Sequence, residues 1–159
     1  MLTVQDANQG TRRLLPGSLL WRKDVNLGIV DHYGILLHAN PPLVAHIEKE
    51  MLPNAGPPGH LRTKIEAYEE FAAGSDVTAE AVERAVPVDV MWNRVQAVSE
   101  AKKPFGLMAF GESWNCESFA RFVRDGIAHS VQAQKGKEAL AILGVVGIVF
   151  LLVAVASEG

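Results

Sequence analysis

The chain has 159 residues, enough for one compact domain and too few for two ordinary ones. With 48% hydrophobic and 21% charged residues it has the make-up of a folded protein, which excludes wholesale disorder. A net charge of -3, with 15 scattered basic residues offset by 18 acidic ones, argues against a nucleic-acid binder.

Residues 1–15 read as an N-terminal extension. They lack an uninterrupted apolar core after a basic start, so no signal peptide is expected, and the domain is expected to stay in a reducing compartment. Pro16-Gly17 marks a turn, and SLLWR after it is a short strand candidate. HYGILLHANPPLVAHIEK predicts two apolar strands around a turn at Asn40-Pro41-Pro42. Residues 53–60 form a loop by composition. In the next segment, 61–74, Leu61, Ile65, Tyr68 and Ala72 fall at helical spacing and predict a short helix ended by Gly74.

Residues 87–103 predict a firmer helix. Val88, Met91, Val95 and Val98 line one face, Pro87 suits the start, and Lys102-Lys103 suit the end. FGLMAF, 105–110, is a strand candidate, followed by a helix from Asn115 to Asp125 stopped by Gly126. The run 139–156 carries no charge and spans roughly 27 Å as a helix, close to the hydrocarbon core of a bilayer. Its expected role is a C-terminal transmembrane anchor over residues 135–159. Lys135 and Lys137 before it predict a domain on the cytoplasmic side, with the lipid bilayer as partner.

The single cysteine, Cys116, excludes an internal disulfide and any multi-cysteine metal site. A lone cysteine is by default a small buried apolar residue. Here Asn115 is a good N-cap, so Cys116 falls in the first turn of a helix. Backbone N–H groups and the helix dipole then favour a thiolate, and the same N–H groups can serve an oxyanion. A nucleophilic thiol also needs a base and a group that orients the base. Of His32, His38, His46, His60 and His129, the loop position of His60 and the membrane-proximal position of His129 count against them, and His38 reads as a structural residue of core or surface. His32 and His46 become cross-strand neighbours if the two apolar runs pair as a hairpin. Glu66, Glu69 and Glu70 read as a solvated helix face rather than a metal site.

GSLLW, DHYGILL, VAHI and NCESF, in that order, resemble the LRAT-like family, which includes lecithin:retinol acyltransferase and related phospholipase/acyltransferases. Asp31-His32-Tyr33-Gly34-Ile35 is similar to its histidine box, Val44-Ala45-His46 to its second histidine, and Asn115-Cys116-Glu117-Ser118-Phe119 to its cysteine box. The resemblance covers roughly residues 16–130, within a catalytic domain read as 16–134. It implies Cys116 as nucleophile, His32 as general base and His46 as the orienting third member; Tyr33, Trp114 and Asn115 are the expected substrate-binding residues. It also implies an α+β fold in which a small antiparallel sheet packs against the cysteine helix, a permuted relative of NlpC-type and papain-like peptidases. Ser118 departs from the pattern, standing where the family usually has histidine.

The expected activity is acyl transfer or phospholipase A chemistry on a membrane glycerophospholipid ester, through a thioester on Cys116 and without metal or organic cofactor. Two alternatives stay open: a peptidase or amidase using the same triad, and a non-catalytic membrane-tethered binding module. Trp114 reads first as a packing residue and second as a wall of an acyl pocket.

Overall fold

A computed structural model describes residues 3–6, 10–23, 31–50, 60–101, 114–131 and 134. Its strands are β1 (Thr3–Asp6), β2 (Gly10–Arg13), β3 (Leu19–Lys23), β4 (Asp31–Ala39), β5 (Pro42–Glu50), β6 (His60–Ala67) and β7 (Thr78–Glu80). Its helices are α1 (Tyr68–Ala72), α2 (Val88–Ala101) and α3 (Cys116–Asp125). The strands form one sheet in the order β2-β1-β7-β3-β4-β5-β6. Every pairing is antiparallel except that of β1 with β7, joined at Asp6 and Ala79. The fold is thus α+β, built on a small and mostly antiparallel sheet.

Strand alternation divides the core in two. One face collects Leu19, Ile35, Leu37, Ala45, Ile47 and Leu61, and is covered by Met91, Val95 and Val98 of α2 and by Phe119, Ala120 and Val123 of α3. The other collects Leu14, Leu20, Leu36, Val44, Val77 and Ala79 around Phe71 of α1. Phe71 needs Gly34 beneath it, because a Cβ there would stand 2.8 Å from its ring and 2.6 Å from Val44. Gly34→Ala is therefore expected to lower stability by about 1–3 kcal/mol through overpacking, read as a fall in the urea midpoint.

The hairpin around Asn40-Pro41-Pro42 forms as expected, as do α2 and α3, although Val88 ends on an exposed surface rather than in the core face of α2. The helix expected over 61–74 does not form. Residues 60–67 are β6, paired along its length with β5, and only Tyr68–Ala72 is helical. Leu61 and Ile65 fit a period of two as well as they fit a helix, and pairing with β5 decides between the two. His60 accordingly opens a strand instead of lying in a loop. Residues 1–15, read as an extension, supply β1 and β2 to the same sheet. The strand candidate 105–110 and the apolar run 139–156 lie outside the described residues. Among the described residues no helix is long and apolar enough to cross a membrane.

Candidate active site

The nucleophile candidate stands where the sequence put it. Asn115 is the N-cap of α3, and its side chain accepts a hydrogen bond from the Ser118 N–H at 2.8 Å. The Ser118 hydroxyl accepts the Asn115 N–H at 2.9 Å, closing a capping box. Ser118 therefore has a structural task of its own at the position where the resemblance leads one to expect histidine. At the other end Gly126 adopts φ 79, the left-handed conformation that closes the helix and that glycine tolerates best.

Cys116 heads α3, 7% exposed. Its thiol donates to the Asp31 carbonyl at 3.5 Å, at the first residue of β4. Even-numbered residues of β4 turn their backbone groups toward β3, as the Leu36 N–H to Ser18 carbonyl bond of 3.0 Å shows. Asp31 and Tyr33 thus turn theirs to the β5 side, where pairing with β5 begins only at Gly34 opposite His46. The sulfur occupies the next position along that edge. Burial pushes its pKa up to about 11, while the backbone N–H groups of Tyr33, Glu117 and Cys116 itself pull the other way. The resting group is a thiol.

His32 and His46 do come together: His32 Nε2 lies 3.0 Å from His46 Nδ1, with the rings edge to face. They are diagonal rather than directly opposite, since His32 pairs with Arg22 and His46 with Gly34. Both rings contact Phe71, on the sheet face away from α3. Tyr33 turns to the α3 face, so the strand edge holding Cys116 lies between the tyrosine and the imidazole. The thiol and His32 share the start of β4 but approach it from different sides.

One participant was missed in the sequence. Glu66, expected on a solvated helix, lies on β6 and is only 8% exposed. Its Oε1 is 2.9 Å from His46 Nε2, at ion-pair distance although the ring N–H does not point along that line. Its Oε2 is 2.6 Å from Lys64 Nζ, which also reaches Glu48 at 3.3 Å. Burial opposes the charge on Glu66, but Lys64 and His46 outweigh it and hold the carboxyl below its ordinary range. Burial lowers the pKa of His46 against the opposing pull of Glu66 and Glu48, so its ring stays neutral near pH 7. Glu69 and Glu70 are exposed, as expected. No alternation of charge in KIEAYEE distinguishes Glu66 from them; only the strand register does.

The remaining candidates flank this centre. Trp114 packs edge to face on Phe122, and Tyr33 stacks on Trp21. Burial, then the negative charges of Glu117 and Asp31, raise the Tyr33 hydroxyl above its ordinary value, so it remains a donor. Behind the cysteine, Asn115 Nδ2 donates to Ser130 at 3.0 Å, and the Ser130 hydroxyl donates to the buried Glu117 carboxylate at 2.7 Å. Arg121 Nε donates to the other Glu117 oxygen at 3.0 Å. His38 is exposed, with Nδ1 3.0 Å from the Pro41 carbonyl in the hairpin turn, and His129 is exposed as well. Among the described residues no group of His, Cys, Asp and Glu is arranged to hold a metal ion.

No protein-family model matches this chain, and a search of curated proteins finds no match.

Proposed function

We propose that the chain is a cysteine-dependent acyltransferase or phospholipase A of LRAT-like type, acting on a glycerophospholipid ester at a membrane surface. The observation that carries this reading is that two things share the start of β4: Cys116 at a capped helix N-terminus, its thiol on the Asp31 carbonyl, and His32, hydrogen-bonded to His46. In this reading the Cys116 side chain rotates away from the Asp31 carbonyl, and His32 takes its proton. Sulfur attacks the ester carbonyl, with charge on the oxygen stabilised by N–H groups of the first turn of α3. The C–O bond breaks, the lysophospholipid oxygen leaves with the proton held by His32, and a thioester remains. Water or an acceptor alcohol or amine, deprotonated by His32, then releases the acyl group and restores the thiol. The apolar run 139–156 would keep this cycle at a bilayer, with the domain on the cytoplasmic side.

The buried, protonated thiol favours a second reading, a binding module in which Cys116 is only a packing residue. Intact-mass spectrometry after incubation with mixed phospholipid vesicles separates the two. A fatty-acyl mass increase, absent in Cys116→Ala and reversed by hydroxylamine, is the expected result. No adduct, together with no released fatty acid or lysophospholipid, would sink the acyl-transfer reading.

A further inference from the structure

The histidine pair does not end at His46. Glu66 stands behind it, one of the few charged side chains buried among the described residues, and its carboxylate faces His46 Nε2 at 2.9 Å. A carboxylate offers only lone pairs and carries negative charge, so at that distance it repels an unprotonated Nε2 and attracts a protonated one, even with the ring N–H direction off the Nε2–Oε1 line. The proton of the neutral His46 ring therefore belongs on Nε2, and Nδ1 is left as an acceptor. Nδ1 is the atom that lies 3.0 Å from His32 Nε2, so that nitrogen of His32 carries the hydrogen of the shared bond. The remaining nitrogen of a neutral His32, Nδ1, then holds the lone pair.

We propose that Glu66 is a positioning residue for the acid–base step: by holding the His46 proton on Nε2 it orders both imidazoles and leaves His32 Nδ1 as the base. This rests on the acyl-transfer reading and extends its triad to a fourth side chain, in the order Cys116, His32, His46, Glu66. The surrounding charges are consistent with the role. Lys64 and Glu48 sit beside Glu66 from β6 and β5, Arg22 approaches from β3 and donates to the Phe71 carbonyl, and Asp31 precedes His32 on β4. Lys64 keeps Glu66 ionised, and the carboxylate in turn favours the positive charge that the histidine pair carries while it holds the thiol proton. Phe71 of α1 closes the site with an apolar ring, and Glu69 and Glu70 of the same helix stay exposed.

The test uses the full chain and needs no lipid. Histidine-selective 15N NMR is expected to show His46 protonated on Nε2 and His32 also on Nε2 in the resting protein. Alkylation of Cys116 by iodoacetamide is expected to rise through one inflection set by the histidine pair. In Glu66→Gln that inflection moves down by about one pH unit and the rate at pH 7 falls about tenfold, because the imidazolium loses its counter-charge. Glu66→Asp, which keeps the charge, restores most of the rate. A wild-type His46 protonated on Nδ1 would overturn the proposal even if no variant folds, and so would superimposable alkylation profiles of folded Glu66→Gln and wild type. Failure of the wild type to form a thioester from vesicles would instead remove the acyl-transfer reading and leave the tautomer and alkylation results standing.

Discussion

Replacing His32 by alanine is expected to slow acylation of Cys116 at pH 7 by about a thousandfold, within the range contributed by a positioned general base. The expectation follows from the thiol's surroundings. Burial holds its pKa at about 11 despite three nearby backbone N–H groups, so the unassisted thiolate at pH 7 is about one part in ten thousand. A base that removes the proton during attack bypasses that small fraction. Without the base, reaction depends on free thiolate, and the rate should climb about tenfold per pH unit until the pH nears the thiol's own value. The wild-type rate should instead rise only until His32 loses its proton and then level off. Initial rates of acyl-adduct formation, followed by intact mass across neutral and alkaline pH, distinguish the two shapes. His38→Ala, in the exposed hairpin turn, should follow the wild-type curve. A His32→Ala profile that keeps both the rate and the plateau would show that His32 is not the base.

The parts of this centre that sequence revealed are those fixed locally. Asn115 before Cys116 and Gly126 after Asp125 are end signals written in single residues, and both ends of α3 fall there. The two histidines could be brought together because Asn40-Pro41-Pro42 announces a hairpin, but the register shift between Leu36 and His38, which sets His46 opposite Gly34 and so on the same face as His32, was not legible in the sequence. What sequence concealed depends on register. Glu66 stands among Lys64, Glu69 and Glu70, and nothing in those letters marks it as the buried one. It goes inward because β6 pairs Glu66 with Val44 and Lys64 with His46, which turns this carboxylate toward the imidazole. The three residues of β7 carry too little pattern to be seen at all. Ser118 shows the converse: it looked like a departure from a motif, and its hydroxyl turns out to complete the capping box of the helix that carries Cys116.

The network behind the cysteine predicts the largest loss of stability. Glu117, adjacent to Cys116, is 1% exposed and accepts from both Ser130 and Arg121. A carboxylate so deeply buried is tolerated because Arg121 supplies a compensating charge four residues along the same helix. Arg121→Met keeps much of the side-chain volume and removes that charge, with a cost expected near 3–5 kcal/mol because Glu117 is left without its cation. Glu117→Gln should cost less, since an amide can still accept from Ser130 and leaves no buried charge when Arg121 is absent. The double substitution, Glu117→Gln with Arg121→Met, should therefore be more stable than Arg121→Met alone. Urea unfolding of the four proteins measures this as a double-mutant cycle. A double mutant that loses the sum of the two single effects would show the residues to be uncoupled. The buried ion pair would then add no net coupling to the first turn of α3, and the position of Cys116 would rest on other contacts, the Asn115–Ser118 cap and the apolar face of Phe119 and Val123 among them.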